Sequence, residues 1–205
     1  NPSYKANIIF SVLAGFRYKI AMRGLWLGIF VAGMVLISVP VYGQTVNEWV
    51  GGNKKWNNSN NWSEEEVPTS SHDVVLKLGG SETVIIDGNV HVNSYTQQGG
   101  TVVLDNSGNK DKTLRVNETF RLENNGEFKP SNRDSDLYKK LEIGGDVIVG
   151  NGSVMDSGDR GIILELFGGS PQTLTPNIPE VDTLILSGGG QKNVQANLGV
   201  NRLLR

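Results

Sequence analysis

The sequence predicts an all-β chain wound as a parallel β-helix, or β-solenoid, with a Trp-rich cap on its N-terminal side and a helical signal peptide in front. Three observations carry that prediction. After Gln44 the apolar residues recur with period two in very short pieces. Glycine is abundant, at 26 of 205 residues, while aromatics make up only 7%. Corners rich in Gly and Asn, which tolerate left-handed backbone, separate the pieces. No segment after Gln44 has the three-and-four spacing of an amphipathic helix.

The leader comes first. Residues 1–21 begin with Asn rather than Met and are read as an over-extended or untranslated leader, with Met22 as the expected start. Residues 22–43 read as a signal peptide: Arg17, Lys19 and Arg23 precede an uncharged apolar run from Leu25 to Val41. Pro40 ends the run, and Val41 and Gly43 supply the small residues of a cleavage after Gly43, so that the mature chain starts at Gln44. The alternative is an uncleaved anchor, because about 17–20 apolar residues can cross a bilayer. With cleavage, no stable membrane span remains, and the protein is expected to be secreted or held at the cell surface.

Charge and cysteine narrow the partners. Residues 1–43 hold four of the 19 basic residues and none of the 21 acidic ones, so the remainder carries 15 against 21, a net −6. Such a balance repels phosphate backbones and argues against nucleic acid as a partner. The absence of cysteine excludes disulfides, thiolate metal sites, thiol nucleophiles and a lipid-modified N-terminus.

Residues 44–78 form the expected cap and first strand. Trp49, Trp56 and Trp62, three of the four tryptophans, fall within fourteen residues here, and a turn at Pro68 leads into VVLKL. Three indoles on a Gly/Asn-rich segment admit two readings: a plug over the exposed core end of the first coil, or a platform for sugar rings. The plug is favoured by its place at the boundary. Asn61-Trp62-Ser63 is expected to form a tight turn.

Residues 79–205 are expected to be solenoid coils. Strand pieces fall at TVII 83–86, TVVL 101–104, TLRV 113–116, TFRLE 119–123, KLEI 140–143, DVIV 146–149, GIILELF 161–167, DTLIL 182–186 and LGVNRLL 198–204. Many short strands with such turns also suit an antiparallel β-sandwich. The solenoid is favoured because strand pairs recur at about 20–25 residues. Phrases of similar form also recur in order, and the sequence stops at Leu203-Leu204-Arg205 inside an apolar strand, as a piece cut from a longer repeat protein would. Each coil has a Val/Ile/Leu face that it can bury only by stacking on a neighbour. Asn124, Asn125 and Asn151 are candidates for an Asn ladder at the corners. The segment Lys129 to Lys140, with Pro130 and mixed charge, reads as a loop extruded from one coil.

Two phrases resemble a known family. Trp49 and Gly51, Trp56, Asn61-Trp62-Ser63, Val67-Pro68 and Asp73-Val74 are similar to an opening motif of large secreted bacterial repeat proteins. Gly168-Gly169, Gln172 and Leu174, followed by Leu184 to Leu186, look like the companion phrase. The resemblance covers about a third of the mature chain. It implies a β-helix-like region of an adhesin-like surface or secreted protein. Many such proteins carry a C-terminal sorting domain for type IX secretion, which these residues do not contain.

Chemistry is thin. Asp105, Asp111, Asp134, Asp136, Asp156 and Asp159 are the acids considered for calcium, but none has the D-x-D-x-D-G spacing, and solvated turn acids are the favoured reading. His72, beside Asp73 and near Ser70 and Ser71, is expected to be a surface imidazole. His91 is expected on the polar face of a short strand, and Glu64-Glu65-Glu66 in an exposed turn. No catalytic, cofactor-binding or metal-ligating set is recognised. A non-enzymatic structural or adhesive role is therefore favoured, with surface glycans or other cell-surface proteins as partners. The alternatives are a polysaccharide-binding or polysaccharide-active β-helix and an antiparallel binding module.

Overall fold

A computed structural model describes residues 43–105, 111–131, 139–155, 161–175, 178, 180–195 and 198–204. Apart from Gly43, the segment read as signal peptide lies outside them, as do residues 132–138 and the acids Asp134, Asp136, Asp156 and Asp159. Among the described residues no helix is long and apolar enough to cross a membrane.

The described chain is a parallel β-solenoid of about 5 turns. Its strands, in order, are β1 (Thr45–Glu48), β2 (His72–Lys77), β3 (Thr83–Ile86), β4 (Val90–Val92), β5 (Ser94–Gln98), β6 (Thr101–Leu104), β7 (Lys112–Val116), β8 (Phe120–Glu123) and β9 (Glu127–Pro130). They continue as β10 (Lys139–Ile143), β11 (Val147–Val149), β12 (Val154–Met155), β13 (Ile163–Leu166), β14 (Gln172–Leu174), β15 (Glu180–Leu186), β16 (Lys192–Val194) and β17 (Gly199–Leu204). Three sheets result. The first is ordered β1-β2-β5-β8-β11-β14-β16, the second β3-β6-β9-β12 and the third β4-β7-β10-β13-β15-β17. Each of the coils from β2 to β13 visits the first, second and third sheet in turn.

Every strand pairing is parallel, and the expectation of an antiparallel sandwich as an alternative fails on that point. The register explains why. Val74, Tyr95, Phe120, Val147, Leu174 and Val194 fill one inward column of the first sheet, and the steps between them are 21, 25, 27, 27 and 20 residues. A hairpin needs only a few residues between partners, whereas these steps allow a full circuit. In that column Tyr95 and Phe120 stack with ring centroids 4.8 Å apart and planes 7° off parallel. The third sheet has an equivalent column of Val90, Leu114, Leu141, Leu164, Leu184 and Leu203. In the last rung of the two columns Val194 and Leu203 are 43% and 47% exposed, whereas Leu114, Leu141 and Leu164 are fully buried.

The corner after the first sheet demands unusual backbone. Gly99 and Gly100, then Asn124 and Asn125 one rung on, all have positive φ between 54° and 78°. Asn tolerates this left-handed region better than other side chains, so it substitutes for glycine here. On the next rung Asn151 follows Asn124 at the same offset of 27 residues, so the expected Asn ladder continues there, whereas Asn125 is followed by Gly152. A Cβ at Gly152 would collide with the Asn125 side-chain amide, so a bare glycine covers it.

The segment Lys129 to Lys140 is more ordered at its ends than a free loop: Lys129 and Pro130 close β9, and Lys139 and Lys140 open β10. Among the described residues β12 pairs only with Glu127 and Phe128, so the proline, which lacks an N–H, stands beyond the described pairing on that side.

Candidate functional site

The tryptophan segment is built by the chain crossing its own first rung. After β1 the backbone bends at Gly51 and Gly52, and Lys55 runs parallel beside Ile85 of β3. There the Ile85 N–H donates to Lys54 O at 2.7 Å and the Trp56 N–H to Ile85 O at 3.0 Å. A 3-10 turn at Ser59–Asn61, capped by the Asn58 side chain, reverses the chain. Trp62 then returns antiparallel to Trp49. The Ser63 N–H donates to Glu48 O at 2.8 Å, the Val50 N–H to Asn61 O at 2.9 Å and the Asn47 side-chain amide to Glu66 O at 3.0 Å. This returning segment covers the edge of β1 that would otherwise stand open to strand addition.

All three indoles are buried, at 6% exposure for Trp49 and 1% each for Trp56 and Trp62. Trp62 meets Trp49 and Trp56 edge-on at 5.2 and 4.6 Å, and Trp56 lies over Tyr95 at 6.4 Å with planes 15° apart. Trp49 Nε1–H donates to Glu82 Oε1 at 2.8 Å and Trp62 Nε1–H to Trp56 O at 2.7 Å. No flat indole face of the three is presented to solvent, and such a face is what stacking on a sugar ring requires. The tight turn expected at Asn61-Trp62-Ser63 is divided by an extended Trp62, with the 3-10 turn at Ser59–Asn61 before it and a turn closed by the Glu65 N–H donating to Trp62 O after it. The Asn61 amide donates to Asn53 Oδ1 and Lys55 O.

His72 corrects an expectation. It opens β2 and is buried, not a surface imidazole. Its Nδ1 accepts from the Thr69 N–H at 2.9 Å, which fixes the proton on Nε2, 2.8 Å from Glu66 Oε1. The turn from Glu66 to His72 folds the ring inward, a tertiary consequence that the neighbouring residues do not announce. His91 is exposed in β4 beside Asn117 Oδ1, and Glu64, Glu65 and Glu66 are exposed, all as expected. Among the acids considered for calcium, Asp111 is exposed but Asp105 is buried at 7%, so the reading of a solvated turn acid does not hold there.

Buried amides hold the corners: Gln97, which the sequence did not single out, and Gln172, which it named only as part of a phrase. Gln97 is fully buried in the first sheet, and its Nε2 donates to Gly99 O, Gly100 O and Glu127 O while its Oε1 accepts from Tyr95 Oη–H at 2.9 Å. Burial pushes the Tyr95 phenol well above its ordinary pKa, which keeps it a donor. Gln172 works likewise at the corner between the third and first sheets, donating to Ile143 O and Gly145 O. In the sequence each lies within three residues of a Gly pair.

On the outer face of the third sheet Arg115, Glu142 and Glu165 stand on successive rungs. Lys140 bridges both carboxylates at 2.8 and 2.6 Å, Arg115 pairs with Glu142 at 2.8 Å, and the Arg115 guanidinium sits 4.0 Å from the centre of the Phe167 ring. Burial alone would raise the Glu142 and Glu165 carboxyls, but hydrogen bonds from Lys140 and its neighbours outweigh it and hold both below the usual range. Burial lowers the Lys140 ammonium, and the two carboxylates outweigh that and raise it. The carboxylates' contribution is thus complete above their ordinary value of 4.5 and is lost as pH falls through the lower folded values. That of Lys140 is complete below 10.5 and is lost as pH rises through its higher folded value. Glu142→Gln should lower stability by about 1 kcal/mol at pH 7, with the difference from wild type closing towards pH 3; urea unfolding across that range measures it.

A groove of about 630 Å³ runs along the corner after the first sheet, floored by Gly99, Gly100, Asn124 and Asn125 and edged by Lys77 and Gln98. Its lining is mostly backbone and amide, a surface suited to hydrogen-bonding a polar chain. Among the described residues no group of three His, Cys, Asp or Glu is placed to hold a metal ion. Compared with protein-family models, with curated proteins and with solved structures, the chain matches none.

Proposed function

We propose that this protein is an exported, non-enzymatic structural or adhesive repeat protein in which the solenoid is a stiff stalk and its corners display loops. The observation that carries this reading is the use of the polar groups. Inward amides such as Gln97 and Gln172 are spent on backbone carbonyls, and the outward charges of the third sheet are spent on one another. Such commitments rigidify a stack and hold those side chains to structural partners. Support for export comes from the basic, apolar and small-residue order of residues 22–43. The groove beside Gly99 and Gly100 favours a second reading, binding of a surface polysaccharide along the corner.

Expression of the full chain in a secreting host tests both. The exported protein should begin at Gln44, and it should release no reducing ends from polysaccharides; turnover of any of them would replace the stalk with an enzyme. Retardation in a polysaccharide gel that Lys77→Ala/Gln98→Ala abolishes would establish the groove as the binding surface.

A further inference from the structure

We propose that the corner between the second and third sheets binds a hard divalent cation of the calcium type between Asp87 and Asp105. Register brings the two together. Ile86 of β3 pairs with Leu104 of β6, and the Asp105 N–H continues that ladder by donating to Ile86 O at 2.8 Å. Asp87 and Asp105 thus follow directly on paired residues and occupy one column on adjacent rungs, which lie about 4.8 Å apart. Ser131 holds the same position one rung further, donating its N–H to Leu104 O at 3.0 Å.

The second observation is independent of that placement. Asp105 is only 7% exposed, and Oδ1 of Asp105 and Oδ1 of Asp87 are both buried and accept no hydrogen bond. No lysine, arginine or histidine among the described residues forms an ion pair with either carboxylate. A buried carboxylate with neither donor nor counter-charge is costly, and a second one a rung away raises the cost. Hard anionic oxygens on adjacent rungs suit Ca²⁺, which takes six to eight oxygen ligands in flexible geometry, better than Mg²⁺, which demands a near-ideal octahedron and dehydrates reluctantly. With two charged ligands, and carbonyl oxygens and water to complete the shell, the site belongs to the weak class of about 10⁻⁴–10⁻³ M. Imidazole and thiolate metals are not suited to it.

The test is thermal unfolding of the full chain at pH 7 in chelator, in CaCl₂ at about ten times that constant and in equimolar MgCl₂. Calcium should raise the wild-type Tm by about 3–6 °C and magnesium by less than half as much. Asp105→Asn and Asp87→Asn should each lose the calcium response. Asp87→Asn, at the less buried position, decides the matter if Asp105→Asn fails to fold. In chelator the double Asn variant should be at least as stable as wild type, because the like charges are gone. A wild-type Tm indifferent to calcium, equal responses to calcium and magnesium, or a calcium response retained in Asp87→Asn would each overturn the proposal.

Discussion

Trp62→Ala is expected to cost about 3–5 kcal/mol and to unravel the first rung before the rest of the stack. Trp62 is the middle of the indole cluster, touching Trp49 on one side and Trp56 on the other, so its loss opens a void against both. The variant also leaves Trp56 O without its donor. The bonds from the Ser63 N–H to Glu48 O and from the Val50 N–H to Asn61 O depend on the same crossing, so the edge of the first sheet is uncovered when it fails. Urea unfolding followed by tryptophan fluorescence gives the total loss. Amide exchange places it: protection should fall in β1 and β2 while β10 and β13 stay protected, because in a stack each rung leans only on its neighbours. Trp62→Phe, which keeps an aromatic ring but not the N–H, should cost about 1 kcal/mol. If Trp62→Ala leaves stability and exchange unchanged while polysaccharide binding disappears, the indoles serve a ligand and not the fold.

How much of this was legible in the sequence depends on what fills the inward slots. β3 and β6 coincide with the pieces TVII and TVVL, because both inward positions are apolar and the outward ones are Thr, Ile or Val. β5 was not marked, although it is as long, because its inward residues are Tyr95 and Gln97 and the amide breaks the apolar alternation. β1 hides in the same way behind an inward Asn47, and β14 behind Gln172. β12 is two residues long, too short for any period to show, and β16 is Lys-Asn-Val, with no apolar pair to mark it. The parallel pairing followed from spacing and corner residues. Register did not, since a single copy of each coil cannot say which rung sits on which.

The candidate sites divide along the same line. The tryptophan cluster was visible as composition at a boundary, but its burial depends on Trp62 returning antiparallel to Trp49, a contact that no local pattern encodes. The inward turn of His72 and the orphaned oxygen of Asp105 depend equally on neighbours brought in by the winding. Asp87 stood in an ordinary D-G-N turn and became notable only once Asp105 was placed in the next rung.

Gln97→Leu is expected to destabilise by about 3–5 kcal/mol even though it adds apolar bulk of similar shape to a buried position. The replacement removes one amide that serves four partners: the carbonyls of Gly99, Gly100 and Glu127 and the hydroxyl of Tyr95. Gly100 O keeps its bond from the Glu127 N–H, but each buried group left unpaired costs about 1–3 kcal/mol, and the gain from a leucine in a core already filled by Leu76 and Leu122 offsets only part of that. The carbonyls concerned belong to a corner with left-handed backbone at Gly99 and Gly100, so the same amide fixes a conformation as well as satisfying acceptors. Tyr95→Phe removes one member of the network and should cost about 1 kcal/mol. Because Gln97→Leu has already stranded that hydroxyl, the double variant should be less destabilised than the two single costs together. Equilibrium unfolding of the four proteins completes the cycle. Additive costs would mean that the Tyr95 hydroxyl and the corner carbonyls are held independently. A coupled deficit would show that one inward amide ties the aromatic column to the turn, which is how a stack without disulfides keeps its corners in register.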